Sequence, residues 1–304
     1  MSYQIIEIPE NSYHHIEQIG TKEKFWIYGS HESNQKKLFK IGRPGTGENW
    51  AEKVTCELAK LISLPCADYE FAIWRGKEGV LSPFFLPTNA ILIHGNEILV
   101  RIEKNYPQNK SYKVREHKLS TVLAIIKSKI CQLPIGYEDD DIIRRPLDLF
   151  MGYLMFDCWV SNPDRHHENW GFVFDVSNKT LHLAPTYDHA SGLGCRVSDK
   201  ERLDRLKTND KRYNIDAFVS RIKSAFYDSN LQQLKTIDAF HFAAKYNSNA
   251  AQYWLNKLKN ISQNEIENIF KKVPVHLISH EACKFALAIL EANKKRLIES
   301  IGND

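Results

Sequence analysis

Cysteine is scarce and scattered: six residues in 304, at positions 56, 66, 131, 158, 195 and 283, with no Cys-x-x-Cys pair. That spacing excludes a zinc knuckle and argues against a disulfide scaffold, so the thiols are expected as reduced core residues of a protein in a reducing cytosol. Long apolar runs are missing as well. The most apolar stretch, Leu147 to Val160, is interrupted by Asp148 and Asp157 and falls short of the ~20 residues a bilayer span needs. The opening Met1-Ser2-Tyr3-Gln4 has no charged segment leading into an apolar one, so no secretory signal and no membrane span are expected. An excess of one charge is also lacking. Lys and Arg number 41 against 37 Asp and Glu, a net +4, and the basic residues are interleaved with acids. This argues against direct nucleic-acid binding but leaves a phosphate-bearing small ligand open.

What is present is enough to fold. With 43% apolar residues over 304 positions, the chain can bury a core as one large domain or two lobes. Strand-like runs lie at 4–8, 24–28 and 37–41, followed by a Gly-rich turn from Gly42 to Gly47 and a helical pattern over 48–62. Two further strands, 69–74 and 79–86, flank the turn Arg75-Gly76-Lys77-Glu78. Helices are then expected over 114–131 and 146–160, the second with Pro146 in its first turn. Two short strands, 171–176 and 181–184, sit among loops dense in Asn, Asp, His and Gly. The remainder reads as helices near 215–226, 237–245, 250–258, 264–270 and 280–301. The expected fold class is therefore α+β: a strand-rich lobe with one helix over 1–86 and a mainly helical lobe over 87–304, with a cleft between them.

The densest polar cluster is Ser161-Asn162-Pro163-Asp164-Arg165-His166-His167-Glu168-Asn169, set between an apolar helix and a strand. Loop aspartates more often cap helices or form turns. Here, however, Asp164 and Asn169 can converge if the loop curls. The acid could then accept a hydroxyl proton while the amide oxygen binds a hard cation. A second acid, Asp188 in Pro185-Thr186-Tyr187-Asp188, follows a hairpin that would return it beside the first loop as a second metal ligand.

The run Asn162-x-Asp164-Arg165-His166-x-x-Asn169 followed by Pro185-x-Tyr187-Asp188 resembles the signature of HipA-like serine/threonine kinases, whose fold is protein-kinase-like. The resemblance implies that Asp164 is the catalytic base, that Asn169 and Asp188 bind Mg2+, and that ATP is the phosphoryl donor. It also directs attention to Lys40, on the third strand, and to Glu52 on the following helix, ahead of Leu58-Ala59 and Pro65. Lys40 would hold the nucleotide phosphates and Glu52 would orient it. A strand-end lysine is usually solvated, and Lys36 and Lys37 compete if the strand register slips.

In the family, small residues and a Gln precede the lysine strand. The matching stretch runs from Tyr28 to Lys36 and holds one glycine. Ser30, Ser33 and Gln35 are its phosphate-loop candidates, and Ser30 or Ser33 is the expected site if the loop is autophosphorylated. Leu81 to Pro87 falls where a kinase places its adenine-binding linker. His276 and His280, four apart, would suit a metal only with a third ligand; Ser191 lacks a nucleophile-elbow setting; and the charge-mixed run from Lys200 to Lys207 reads as a solvated helix face or an acidic-substrate dock.

The resemblance implies transfer of the ATP γ-phosphate to a Ser or Thr of a protein substrate, by a toxin or by an effector that is cytoplasmic or secreted into a host cytosol. Family toxins carry an additional N-terminal module, absent here, which points to a partner protein, an antitoxin or the missing module. The alternatives are a phosphoinositide- or inositol-type kinase and an inactive nucleotide-binding scaffold.

Overall fold

The computed structural model describes residues 2–16, 23–28, 36–138 and 141–300. The short N-terminal runs build one six-stranded sheet. Its strands are β1 (Ile5–Ile8), β2 (Tyr13–Ile16), β3 (Lys24–Tyr28), β4 (Lys36–Ile41) and, after helix α1 (Glu48–Leu61), β5 (Glu70–Trp74) and β6 (Lys77–Pro83). They lie side by side in the order β1-β5-β6-β4-β3-β2. All neighbours are antiparallel except β1 and β5. Strand β2 is not in the sequence reading. The β5–β6 connection is a two-residue turn in which Arg75 and Gly76 take φ of 47° and 72°, the left-handed pair that matches the twist of adjoining strands.

Strand β4 is central, with Lys40 opposite Lys24 on β3 and Val80 on β6. Alternation along the strand decides where its side chains go. Phe39 joins Phe25, Trp74 and Leu81 in a small outer cluster, while Lys40 projects from the other face, toward α1. The glycine cluster before α1 is the strand-to-helix turn that its sequence suggests: the Gly42 N–H donates to Asn49 Oδ1 and the Arg43 N–H to Glu48 Oε2.

A second sheet starts after the first ends, with β7 (Ala90–His94), followed by α2 (Gly95–Ile102), α3 (Leu119–Ile126), β8 (Cys131–Gln132), α4 (Pro146–Trp159), β9 (Gly171–Asp175) and β10 (Thr180–Leu183). Its order is β7-β9-β10-β8. The chain continues through α5 (Asp199–Lys207), α6 (Ile215–Ser220), the hairpin β11 (Lys223–Tyr227) and β12 (Gln233–Lys235), α7 (Thr236–Ala244), α8 (Ser248–Asn260), α9 (Gln263–Lys271) and α10 (His280–Ser300).

Helix α4 is the axis of this part: every one of its residues is buried, as expected of a helix that is apolar all round. Its two carboxylates are partnered rather than stranded. Asp148 accepts from Arg145 and from Asn247, and Asp157 from Arg165 and Asn162. The main core is continuous from Trp50 on α1, through α4, to Leu297 on α10. Four cysteines are buried and two half-buried, all as free thiols. Among the described residues no helix is long and apolar enough to cross a membrane.

Three segments differ from the sequence expectation. The helix expected over 114–131 is confined to α3. Lys113 takes φ 56°, Lys118 bridges to Tyr227, and Cys131 pairs with Leu181 on β10, so both ends are drawn into strand pairing. The helix expected over 215–226 stops at Ser220. Ser224, Phe226 and Tyr227 are buried in β11, where tertiary packing overrides a helical spacing. Strand β7 and helix α2 were not anticipated at all.

Candidate active site

The end of α4 sets the first half of the site. Ser161, at φ 54°, turns the chain out of the helix. The buried Asp157 carboxylate then organises the loop: it receives a bidentate contact from Arg165, Nε and Nη2 each at 2.7 Å, and accepts from Asn162 Nδ2 at 2.8 Å. Arg165 is 1% exposed and also donates to the Asn169 carbonyl (3.0 Å) and His189 Nε2 (3.0 Å). The Asn162 amide oxygen accepts from the Asp164 N–H at 3.2 Å. The loop therefore curls, and Asp164 and Asn169 meet: Asn169 Nδ2 donates to the Asp164 carbonyl at 2.7 Å. With its nitrogen committed, the Asn169 amide has its oxygen left for the cavity that it lines.

The β9–β10 hairpin returns the chain to this loop. Cys66 bridges Thr186, Thr186 N–H donates to Pro65 O, and Asp188 adopts φ 57° with its N–H on the Tyr69 hydroxyl at 3.2 Å. A left-handed aspartate is uncommon outside sites that over-determine it. Asp188 Oδ2 lies 3.6 Å from Lys40 Nζ, which is also 3.8 Å from Glu52 Oε2. Burial, the largest influence on Lys40, pulls its ammonium pKa down; Asp188 and Glu52 outweigh it and leave the pKa raised. The lysine is thus a cation. Lys36 instead stacks over Trp26 at 4.3 Å, and Lys37 sits opposite Ile27 and Pro83, so Lys40 is the lysine that reaches the acids. The second Glu52 oxygen accepts the His189 N–H at 2.8 Å, tying α1 to the Asp188 loop. Burial also lifts the Asp164 carboxyl above its ordinary range, with the Asp188 charge adding to it and His166, Ser191 and Arg196 opposing.

These groups line a cavity of about 440 Å3, a size suited to a small ligand. The same cavity has an apolar part to its lining, formed by Trp26, Leu38, Phe84, Phe85, Leu86 and Leu92. Phe85 stacks on Tyr187, ring centroids 5.9 Å apart. In the segment from Leu81 to Pro87, Pro83 has no N–H, and the Phe84 N–H is bonded to Lys36 O. Ser30, Ser33 and Gln35 lie outside the described residues.

Sequence reasoning missed the supports of the site. Asp157 and Arg165 carry the loop, Tyr69 and Tyr187 brace Asp188 and Glu168, and Ser191 donates to Asp164. The available signal was Asp157 itself, a carboxylate within an apolar helix that needs a cationic partner. The remaining clusters resolve differently. His276 precedes α10, stands half exposed and lies 3.9 Å from Glu78, and among the described residues no third ligand completes a metal-binding group. The basic run from Lys200 to Lys207 is α5, whose Arg202 and Arg205 are engaged by Asp199, Glu201 and main-chain carbonyls.

No protein-family model matches the chain, and no curated protein matches it in sequence. Solved structures do match in shape. The proinflammatory kinase CtkA of Helicobacter pylori superposes with a TM-score of 0.74 at 20% identity, over 97% of this chain and 96% of that one. The chain has a HipA-like kinase fold. A chain from the Shewanella oneidensis MR-1 toxin–antitoxin complex of HipA, HipB and operator DNA matches with a TM-score of 0.56 at 13% identity, over 97% of this chain and 68% of that one. The α+β, two-lobed architecture expected from the sequence is thus the observed one.

Proposed function

We propose that the protein is an ATP- and Mg2+-dependent kinase that phosphorylates a Ser or Thr hydroxyl of a protein. The observation that carries this reading is the convergence of Lys40, Asp164, Asn169 and Asp188 on one cavity that also has apolar and aromatic walls. The donor set fits the metal: a carboxylate and an amide oxygen are hard ligands, and Mg2+ takes one or two such groups together with substrate phosphates. Bound Mg-ATP would supply the phosphoryl group and the cationic charge that offsets its oxygens.

The chain's own residues do the positioning. Lys40, raised in pKa and held between Glu52 and Asp188, presents a fixed positive charge to the phosphates. Asn169 and Asp188 hold the metal from two loops locked together by Arg165 and Glu52. Asp164, 19% exposed, orients an acceptor hydroxyl and takes its proton. The base is placed against the apolar walls, where the main chain at Phe85 and Leu86 follows the committed Phe84 N–H. Catalysis of this type is mainly positioning and charge stabilisation. The proposed division runs near residue 86, with 1–86 as the nucleotide-binding lobe and 87–304 as the catalytic lobe. The charge-mixed character of α5, whose Arg202 and Arg205 are engaged by Asp199 and Glu201, favours a protein acceptor over an inositol or lipid headgroup. A cytosolic toxin or effector kinase with an antitoxin-type or N-terminal-module partner follows the HipA and CtkA neighbours.

The test is incubation of the protein with γ-labelled Mg-ATP in a cell extract that retains both protein and lipid. Acid-stable label on Ser or Thr of protein bands, lost with Asp164→Ala, supports the reading. Label confined to lipid or soluble inositol overturns the acceptor class, and no label above the Asp164→Ala control overturns the activity.

A further inference from the structure

Ser191 stands on the loop that follows Asp188, and its hydroxyl lies 3.0 Å from Asp164 Oδ2. The direction of that hydrogen bond is fixed by a third group. Arg196 Nη2 donates to Ser191 Oγ at 2.9 Å, and a guanidinium can only donate. Ser191 therefore accepts from Arg196 and has one proton to give, which goes to Asp164. Arg196 is itself held. Its Nε donates to Glu48 Oε1 at 3.0 Å, and its Nη2 lies 2.9 Å from the same oxygen. Glu48 is 1% exposed and sits in the first turn of α1.

The segment carrying Ser191 is not a loose loop. Leu193 N–H donates to Val160 O at 2.7 Å, Gly192 N–H to His189 O at 3.0 Å, and Gly47 N–H, just before α1, to Cys195 O at 2.9 Å. Leu193 takes φ 55°, and a side chain at Gly192 would press on the Val160 carbonyl. The serine hydroxyl is thus presented to Asp164 from a fixed backbone.

We infer that Ser191, backed by Arg196 and Glu48, is a positioning residue for the phosphotransfer base. It pins one oxygen of Asp164 so that the other faces the acceptor hydroxyl. This rests on the kinase reading above and adds residues to it. Helix α1 is then the common carrier of both ends of the cleft. Glu52 on α1 pairs with Lys40 at the phosphate end, and Glu48, one turn earlier on the same face, holds Arg196 and through it Ser191 at the acceptor end. The ring closes through Asp188, which contacts Lys40 and begins the segment bearing Ser191.

A hydroxyl that donates to Asp164 also has the geometry of an acceptor, so the rival role for Ser191 is phosphorylation by its own chain; label found on Ser191 itself after incubation with γ-labelled Mg-ATP would overturn the positioning role.

The test compares wild type, Ser191→Ala, Ser191→Thr and Arg196→Met. It reads γ-phosphate transfer into extract proteins as a function of ATP concentration, and a crystal structure of wild type and of Ser191→Ala. Loss of a hydrogen bond to a charged group should lower kcat by about 10- to 100-fold in Ser191→Ala and Arg196→Met. KM for ATP should stay unchanged, because the contact lies at the acceptor end. Ser191→Thr keeps the hydroxyl and should restore transfer. In Ser191→Ala crystals the Asp164 carboxylate should leave its wild-type orientation. Unaltered kcat in Ser191→Ala, or equal loss in the Ala and Thr variants, overturns the inference. If wild type transfers nothing, the kinase reading fails separately, and the Asp164 orientation decides: moved in Ser191→Ala, it upholds the contact; unmoved, it overturns that too.

Discussion

At the scale of single residues, the site is defined by what each polar group has already spent. Asn169 gives its amide nitrogen to Asp164 O, Arg165 gives four of its five N–H donors to Asp157, Asn169 and His189, and Glu52 divides its oxygens between His189 N–H and Lys40. The groups that this arrangement presents to the cavity include Lys40, the Asn169 amide, and the Asp164 and Asp188 carboxylates. Asp164→Asn removes the proton acceptor while keeping the shape. Transfer should fall by about 10²- to 10⁴-fold, the usual contribution of a general base, with the ATP dissociation constant unchanged by equilibrium titration. Lys40→Met should do the opposite first, weakening ATP binding. That these four residues meet was legible in the sequence, from the spacing of Asp164, Asn169 and Asp188 and the strand position of Lys40. The contact of Ser191 was not, since a serine beside Gly192 has no distinctive spacing and gains its meaning only from the aspartate it meets.

At the scale of elements, α4 and the loop it launches carry the site. The apolar character of α4 and its first-turn proline were readable, and its position as the fully buried axis follows from them. Less readable was that Asp157 makes this helix the anchor of the loop. Removing one partner of a buried ion pair leaves the other charge uncompensated, so Asp157→Ala should cost about 3–5 kcal/mol in chemical denaturation. A loss below about 1 kcal/mol would contradict that anchoring role. The β7–β9 pairing is similarly exacting. A Cβ at Gly171 would collide with the Ile93 carbonyl, so Gly171→Ala should lower Tm and loosen the floor of the cavity. Strand β7 and helix α2 escape a reading from sequence because they are short, five and eight residues. The segments 114–131 and 215–226 were misjudged because strand partners from distant parts of the chain, β10 and β12, claim residues that read as helical in isolation.

At the scale of the whole molecule, α1, α4 and α10 share one continuous core, and among the described residues the buried carboxylates of α4 are paired. The same packing traps neutral histidine. His117 accepts from Trp170 Nε1 at 3.0 Å on Nε2 and so donates from Nδ1 to Ala225 O at 3.1 Å. Burial lowers its pKa from 6.5 to about 3. A depressed folded pKa means that the unfolded chain takes up a proton that the folded chain refuses. Its contribution to stability is therefore complete above pH 6.5 and is lost as pH falls toward 3, at up to about 1.4 kcal/mol per pH unit. Unfolding free energies measured between pH 7 and 4 should decline, and His117→Gln should flatten the slope by up to one proton. An unchanged slope would contradict a neutral buried His117.

The cleft between the six-stranded sheet and the loops that follow α4 and β10 is proposed as the site for magnesium-bound ATP. Isothermal titration of ATP with and without Mg2+ into wild type and Asp188→Ala tests it most directly. The account predicts one nucleotide per chain, tighter with magnesium, with that magnesium advantage lost in Asp188→Ala. Binding that is absent, or indifferent to both the metal and Asp188, would contradict it.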